Sequence, residues 1–146
     1  MPSTPITISA GQQAELLSVA RKAAHQAYVP YSGFQVGAAV LLESGEVVSA
    51  ANVENTSYGL TICAERSAVV RAVAQYGSQI RIAAVAVTNL TDKPSSPCGA
   101  CRQVLAEFMP PDGLVLFPFD GSPQARIRSL PLAELFPFGF YLAHAE

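Results

Sequence analysis

The stretch RIAAVAVT, residues 81–88, places six consecutive apolar residues between Arg81 and Thr88. Because alanine, valine and isoleucine follow one another without alternating polar residues, the run predicts a strand buried on both faces. Such a strand needs a layer of helices on each side. Residues 81–88 are therefore expected to form the central strand of an α/β domain.

The elements before and after this strand are predicted from periodicity and turn residues. Ser9 and Thr61 are helix-capping residue types, and Ser96 followed by Pro97 is typical of a third helix start. In chain order we expect a helix over 11–28, a turn over 30–33, strands over 34–42 and 47–53 joined at 43–46, a polar loop over 54–61, a helix over 62–75, the central strand, a loop over 89–97, a helix to about 108, strands over 114–119 and 125–129, and a helical turn over 131–136.

This order of elements predicts an α/β fold, a three-layer α/β/α sandwich around a mixed five-stranded sheet. The chain has 146 residues, and no repeat, linker or low-complexity segment divides it. That length suits one domain with a sizeable core. We therefore expect a single domain over residues 1–146.

The composition limits the partners and the location of the protein. Half of the residues are hydrophobic and 14% are charged, which is apolar for a small monomer and favours a homo-oligomer. A net charge of −2 argues against binding a nucleic acid polymer, which needs a basic face. No apolar run is long enough for a membrane span, and residues 1–10 lack the features of a signal peptide. Together with thiols that must stay reduced, these features predict a cytoplasmic protein.

All three cysteines lie in two short motifs, C-A-E at 63–65 and P-C-G-A-C at 97–101. Three thiolates bind zinc and leave its fourth position open, as in catalytic zinc sites. Cys63, Cys98 and Cys101 are each expected at a helix start, where partial positive charge and free N–H groups stabilise thiolates. Two helix starts facing one another across a sheet edge would bring the three sulfurs around one Zn²⁺.

Three other interpretations of the cysteines compete with a catalytic zinc site. Isolated buried thiols are the default for any one cysteine, but they leave the paired motifs unexplained. A structural zinc site normally has four protein ligands, and neither His25 nor His144 has ligand-like spacing. A thioredoxin-like pair in the second motif would leave the first motif without a purpose. The catalytic zinc site therefore accounts for the pattern best.

Two charged residues, Glu65 in the first cysteine motif and Arg66 directly after it, bear on the chemistry of the site. Glu65, two residues after Cys63, is expected to act as a proton shuttle for a zinc-bound water. A carboxylate that merely suits the helix dipole is the alternative. Arg66 is expected to offset the negative charge of three thiolates by donating hydrogen bonds to one of them, with a solvated helix arginine as the alternative.

These motifs resemble the zinc nucleobase deaminases, which combine three cysteine or histidine ligands, a glutamate that is not a ligand and a downstream P-C-x-x-C. More specifically, the chain resembles the small homotetrameric cytidine deaminases over nearly its whole length. The resemblance implies hydrolysis of cytidine and 2′-deoxycytidine to uridine and 2′-deoxyuridine, as in pyrimidine salvage, with zinc as the cofactor. It is carried by PYSGF at 30–34, VGAA at 36–39, NVEN at 52–55, CAER at 63–66 and PCGACRQ at 97–103.

The resemblance also implies residues that bind the nucleoside. Asn52 and Glu54 would hold the ribose 3′-hydroxyl, and Phe34 would pack against the base. Backbone atoms at Ala64 and Cys98 would contact the ring, as helix-start N–H groups can. Without the resemblance, Asn52 and Glu54 would be interpreted as ordinary polar residues at the edge of a loop, and Phe34 as an ordinary core residue.

The carboxyl-terminal tail implies that sites are completed by neighbouring subunits. In the family, a phenylalanine at the end of a Leu-Leu-Pro-x-x-Phe segment reaches into the neighbouring site. Here the segment is Leu-Phe-Pro-Phe-Gly-Phe over 135–140, so Phe140 matches. Phe136 and Phe138 are additional aromatics, and burial between subunits is another explanation for all three.

Three other functions compete with a free-nucleoside deaminase. A deaminase of aminoacyl-nucleoside antibiotics such as blasticidin would share P-C-x-x-C-R-Q, but the set of Phe34, Asn52, Glu54 and Phe140 favours a simple nucleoside. A polynucleotide editor needs a basic groove or a stacking platform, and this chain has nine Lys plus Arg and no Trp. A non-catalytic zinc-binding assembly protein would have no use for Glu65.

Overall fold

A mixed sheet with helices on both faces makes up the protein. The computed structural model describes residues 7–121 and 126–144. The strands are β1 (Val36–Leu42), β2 (Val47–Ala51), β3 (Ile82–Asn89), β4 (Leu114–Pro118) and β5 (Ile127–Pro131), and the helices are α1 (Ala10–Ala24), α2 (Ala64–Tyr76), α3 (Gly99–Phe108) and the short α4 (Leu132–Leu135). The strand order is β2-β1-β3-β4-β5, with β3 and β4 parallel and the other neighbours antiparallel. The predicted five-stranded sandwich is confirmed.

The central strand β3 is buried along its whole length, as its composition predicts. Ala84 and Ala86 belong to the apolar cluster on the α1 side. Val85 and Val87 belong to the larger cluster that includes residues of α2 and α3. Small side chains on one face therefore let α1 approach the sheet closely, while the branched side chains fill the space beneath α2 and α3.

The closest approach of α1 to the sheet is over Gly37 in β1. A Cβ atom at this position would lie 1.9 Å from the backbone oxygen of Ala20 and 2.6 Å from the backbone nitrogen of Ala24. Both atoms belong to the helix backbone, so no side chain can rotate away to make room. Glycine is therefore required here by packing.

Replacing Gly37 with alanine is expected to destabilise the fold by about 3 kcal/mol or more, because α1 must move away from the sheet. Urea unfolding measures the change in the free energy of unfolding. Gly59→Ala is the matched control, since a Cβ atom there has no neighbouring atom within 4 Å. A stability of Gly37→Ala equal to that of the control would contradict the close approach.

The first helix begins as predicted and ends earlier. Ser9 caps α1 in a reciprocal arrangement, in which its hydroxyl accepts from the Gln12 N–H and the Gln12 side chain accepts from the Ser9 N–H. The predicted end at residue 28 is wrong, because Tyr28 leaves the helical path to pair with another segment. Its N–H donates to the Asn52 carbonyl at 3.0 Å and its carbonyl accepts from the Glu54 N–H at 2.8 Å.

The predicted starts of the second and third helices are each wrong by two residues. The N-cap of α2 is Cys63 rather than Thr61, because Ile62 is held by two backbone hydrogen bonds to Val53. The N-cap of α3 is Cys98 rather than Ser96, and the N–H of Arg102 donates to its carbonyl at 3.0 Å. Two of the three cysteines therefore occupy N-cap positions instead of the first helical turn.

The strands are somewhat displaced from the predicted ranges. The strand predicted over 34–42 begins at 36, the one over 47–53 ends at 51, and the one over 114–119 ends at 118. The last strand covers 127–131 instead of 125–129, and residue 125 lies outside the described residues. The helical turn predicted over 131–136 is confirmed as α4. Within the described ranges, no helix has both the length and the apolar character needed to cross a membrane.

Candidate zinc and catalytic site

The candidate site lies at the end of the sheet where β1 begins and β3 ends. The helices α2 and α3 also begin there. They lie side by side on one face of the sheet and share its larger apolar cluster, rather than meeting across a sheet edge. The two cysteine motifs, 32 residues apart in sequence at their nearest residues, are thereby brought together.

The three cysteine sulfurs form one compact group. The Sγ atoms of Cys63 and Cys98 are 3.9 Å apart, and all three sulfurs lie within 4.8 Å of one another. Tetrahedral zinc with Zn–S bonds of about 2.3 Å requires sulfurs about 3.8 Å apart. In the part of the chain that the structure describes, this is the one cluster of three or more histidine, cysteine or acidic side chains placed to hold a metal ion. The three residues fit a zinc ion, with a fourth ligand position left for a non-protein group.

Hydrogen bonds around the sulfurs favour a thiolate at Cys63. A hydrogen bond from Cys101, together with one from Arg66, lowers the pKa of Cys63 to about 5. The same interaction with Cys63, strengthened by burial, raises the pKa of Cys101. The Arg66 guanidinium lies 3.6 Å from the Cys63 sulfur and 3.4 Å from the Thr61 carbonyl oxygen. The structure therefore places Arg66 where it can offset thiolate charge.

Glu65 lies beside the sulfurs in the first turn of α2. Its side chain is 4% exposed and it lines the same cavity as Cys63 and Cys98. Burial is the main reason that its pKa is raised to about 6. A carboxyl group whose pKa lies near neutrality can both accept and give up a proton in a catalytic cycle. The position and burial of Glu65 are thus suited to proton transfer at the open side of the sulfur cluster.

The cavity in front of the sulfurs has a volume of about 320 Å³. A larger cavity of about 620 Å³ lies at the opposite end of the sheet near Arg81, and it contains none of the cysteines. The smaller cavity is therefore the one that can bring a ligand to the metal position. It is lined by Phe34, Val36, Asn52, Thr61, Cys63, Ala64, Glu65, Val87, Pro94, Ser95, Ser96 and Cys98.

Asn52 lines the cavity and also fixes the backbone that leads into β1. Its amide donates to the Phe34 carbonyl at 2.9 Å, and its carbonyl accepts from the Val36 N–H at 3.0 Å. These two bonds hold Phe34 at the cavity wall and explain why β1 begins only at residue 36. The same side chain therefore lines the cavity and fixes the position of the cavity wall at Phe34 and Val36.

Glu54 is buried but does not line the cavity of its own chain. One of its carboxylate oxygens accepts from the backbone N–H groups of Tyr31 at 3.1 Å and Ser32 at 3.2 Å. Although burial opposes ionisation, these bonds and the Ser32 side chain hold the pKa of Glu54 below its usual value. The carboxylate thus keeps the turn at 30–33 against the strand end next to Asn52.

The structure distinguishes the three phenylalanines of the tail. The ring of Phe136 packs against the larger core cluster, and a Cβ atom at Gly139 would lie 2.2 Å from it. Phe138 is fully exposed, with a left-handed backbone φ of 59°. Phe140 is 69% exposed, and its main chain pairs with Gln103, whose amide donates to the Phe140 carbonyl at 2.7 Å and accepts from its N–H at 3.3 Å. Phe140 does not line the cavity of its own chain.

Sequence reasoning missed several residues that organise the site. Arg102 donates to the carbonyls of Pro97 at 2.7 Å and Leu135 at 2.6 Å, and so ties the start of α3 to α4. Gln103 holds the tail, as described above. Both belong to the PCGACRQ motif that carries the family resemblance, but sequence reasoning assigned neither of them a role. Asn89 and Ser95 carried no sequence signal, because nothing in a loop sequence shows which side chains turn inward.

Comparisons with known proteins agree with this geometry. Residues 10–116 match the family model described as the cytidine and deoxycytidylate deaminase zinc-binding region. A cytidine deaminase of Halalkalibacterium halodurans is 46% identical over 125 residues, which cover 86% of this chain and 91% of that protein. The crystal structure of a cytidine deaminase from Burkholderia pseudomallei has a TM-score of 0.78 at 41% identity, covering 87% of this chain and 98% of that one. A blasticidin-S deaminase of Bacillus cereus is more distant, with 29% identity over 136 residues that cover 88% of this chain and 92% of that protein.

The family match spans most of the chain and includes both cysteine motifs. It also includes Glu65 and the strands that line the cavity, whereas the tail beyond residue 116 lies outside it. The three sulfurs lie close enough together to hold one metal ion, and the overall fold matches that of a solved relative. The chain belongs to the zinc-binding cytidine and deoxycytidylate deaminase family.

Proposed function

We propose that the protein hydrolyses cytidine and 2′-deoxycytidine to uridine and 2′-deoxyuridine and releases ammonia. The observation that supports this most strongly is the combination of three clustered thiols and a buried carboxyl group that line or adjoin one cavity. A structural zinc site has no use for such a carboxyl group, whereas hydrolysis of an amine needs one to move protons.

Cys63, Cys98 and Cys101 are the zinc ligands in this proposal. When bound, zinc acts as a Lewis acid that lowers the pKa of water and so supplies a nucleophile near neutral pH. Arg66 donates to the Cys63 sulfur and so reduces the negative charge of the three thiolates. The two N-cap positions of the helices hold their cysteines rigidly, since the following turns are helical from the first residue.

Glu65 carries the protons of the reaction. It takes a proton from water and delivers it to the ring nitrogen next to the carbon that bears the amine. The oxygen of water forms a bond to that carbon, the carbon–nitrogen bond to the amine breaks, and Glu65 passes the second proton of water to the departing amine. One water and one cytidine therefore give one uridine and one ammonia, and Glu65 returns to its starting state.

The nucleoside is bound by residues that line or border the cavity. Phe34 packs against the base, and the backbone of Ala64 contacts the ring at the start of α2. Asn52 and Glu54 hold the ribose 3′-hydroxyl, with Glu54 ionised and placed at the strand end by the turn at 30–33. The cavity volume of about 320 Å³ suits a single nucleoside and is small for a polynucleotide strand.

The protein assembles as a homotetramer, and Phe140 of each chain closes the site of a neighbour. The exposed ring of Phe140 and its pairing with Gln103 support this role, since they present the ring outward on a fixed main chain. The ring of Phe136 packs against the larger core cluster of its own chain. We place the enzyme in the cytoplasm, where thiols remain reduced, and in pyrimidine salvage.

The proposed reaction is tested by following the loss of the ultraviolet band of cytidine in purified protein. Ammonia and bound metal are measured on the same sample. We expect turnover, ammonia release and about one zinc per chain. Zinc-loaded protein that leaves cytidine unchanged would contradict the proposal, and turnover of blasticidin-type nucleosides by that sample would establish the antibiotic deaminase instead.

Replacing Phe140 with alanine is expected to raise KM for cytidine about tenfold, because a buried aromatic contact with the nucleoside is lost. Steady-state kinetics measure KM, and light scattering after size exclusion measures the assembly. Phe138→Ala is the matched control, since it removes another exposed phenylalanine ring of the tail whose main chain is not paired with Gln103. A larger rise in KM for Phe138→Ala would assign the closing role to that residue.

A further inference from the structure

Asn89 is a fully buried polar residue at the end of the central strand β3. Its side chain is 0% exposed, and it occupies the point where the chain leaves the sheet toward the second cysteine motif. A buried amide needs hydrogen-bond partners for both its oxygen and its nitrogen. The hydrogen-bond partners of Asn89 therefore show which segment its side chain holds in place.

The side chain of Asn89 binds the loop that follows it at five points. Its oxygen accepts from the Thr91 N–H at 3.0 Å, the Thr91 hydroxyl at 3.1 Å and the Lys93 N–H at 3.1 Å. Its amide nitrogen donates to the Lys93 carbonyl at 2.8 Å and to the Ser95 hydroxyl. Its own backbone carbonyl accepts from the Arg21 guanidinium of α1 at 3.1 Å. One side chain thus provides hydrogen bonds in place of the regular backbone pairing that the loop over 90–97 lacks.

The opposite side of this loop forms a wall of the candidate cavity. Pro94, Ser95 and Ser96 all line it. The Ser95 N–H also donates to the Pro118 carbonyl at 3.0 Å, which ties the loop to the end of β4. Asn89 therefore holds the loop on the side that faces away from the cavity. The other side of the loop contacts any ligand in the cavity.

The metal end of the site is supported separately from this wall. Pro97 is fully buried, and Arg102 donates to its carbonyl at 2.7 Å. Cys98 then begins α3 as its N-cap. Pro97 and Cys98 therefore have supports that do not involve Asn89.

We propose that Asn89 is a positioning residue for nucleoside binding, which acts by holding the wall formed by residues 94–96 at a fixed distance from Phe34. The inference rests on the proposed function, since it assigns the wall to a bound nucleoside. Two parts of the same loop then have different roles. Asn89 sets the fit of the ligand, and Pro97 with Arg102 sets the position of the metal ligands.

The test compares Asn89→Ala with the parent protein and with Val115→Ala. Val115 is equally buried, lies in β4 and does not line the cavity, so its variant controls for lost core stability. In Asn89→Ala we expect KM for cytidine and the inhibition constant of uridine to rise about tenfold, because displaced walls weaken ligand binding. We expect kcat to change less than about threefold and zinc content to stay equal to the parent's, since the metal and the reacting groups are held separately. In Val115→Ala both constants should match those of the parent.

Asn89→Asp keeps the test decisive if the alanine variant does not fold. It retains the three accepted bonds and places an oxygen against the Lys93 carbonyl, so KM is expected to lie between the parent and the alanine variant. If KM for cytidine and the inhibition constant of uridine in Asn89→Asp equal those in Val115→Ala, the positioning role is overturned. Loss of zinc in parallel with the rise in KM would overturn it as well. A parent protein that does not act on cytidine would overturn the proposed function and this inference together.

Discussion

Replacing Glu65 with glutamine is expected to lower kcat for cytidine about 10⁴-fold, because the amide cannot carry the protons that the reaction requires. The glutamine side chain has nearly the same size, so the packing around this buried position is preserved. Glu65 is outside the sulfur cluster that holds the metal, and zinc content should therefore equal that of the parent. Single-turnover kinetics and metal analysis on the same sample separate the two effects.

Glu15→Gln is the matched control for this variant. Glu15 is an exposed glutamate of α1, and its replacement changes the same charge far from the cavity. Activity of Glu15→Gln should equal that of the parent. Retention of more than a tenth of the parent kcat by Glu65→Gln would exclude Glu65 as the proton shuttle, and loss of zinc in that variant would assign it a role in metal binding.

Removing zinc with a chelator is expected to abolish turnover and to lower Tm by more than about 10 °C. A zinc ion bound by the three sulfurs, which lie within 4.8 Å of one another, would link the two helix starts that carry them, and its removal would break that link. Calorimetry and activity measurements on the same metal-free sample test both parts. Adding Zn²⁺ back should restore activity and Tm, whereas Mg²⁺ should not, because it prefers oxygen ligands.

Cys101→Ser provides the matching variant, since it replaces the buried ligand by a hydroxyl of similar shape. It should behave like the chelated protein and should not recover fully on addition of Zn²⁺. Full activity of a preparation free of zinc would contradict the metal-dependent reaction. An unchanged Tm after chelation would instead show that the cysteines are held in place by the fold alone.

Elements with a strong local pattern were predicted well from the sequence. The apolar run at 81–88 predicted a central strand, and β3 is buried at every position. The Ser9 cap was also predicted, since capping involves residues three apart. The ends of elements were less accurate because they depend on distant partners. Ile62 pairs with Val53 and Tyr28 pairs with Asn52, and neither pairing leaves a local trace in the sequence.

In the candidate site, too, residues in short local motifs were predicted and contacts between distant segments were not. Cys63, Cys98, Cys101 and Glu65 were identified from the spacing of two short motifs and their resemblance to zinc deaminases, and the three sulfurs lie within 4.8 Å of one another. The contacts of Asn52 and Glu54 were not predictable, because both bind the backbone of a segment about 20 residues earlier in the chain. The roles of these two residues toward a nucleoside stay predictions.

The sequence by itself determined the class of fold and the three cysteines of the metal-binding group, because hydrophobic runs and short motifs express local chemistry. The acid–base role of Glu65 stays a prediction. Only the tertiary structure decided that the two helix starts lie side by side, that Asn89 turns inward and that Gln103 holds the tail. Each of these depends on groups far apart in sequence or on the direction of a side chain. Such contacts form only when the sheet and helices have packed, since burial and hydrogen bonding then select one arrangement among many.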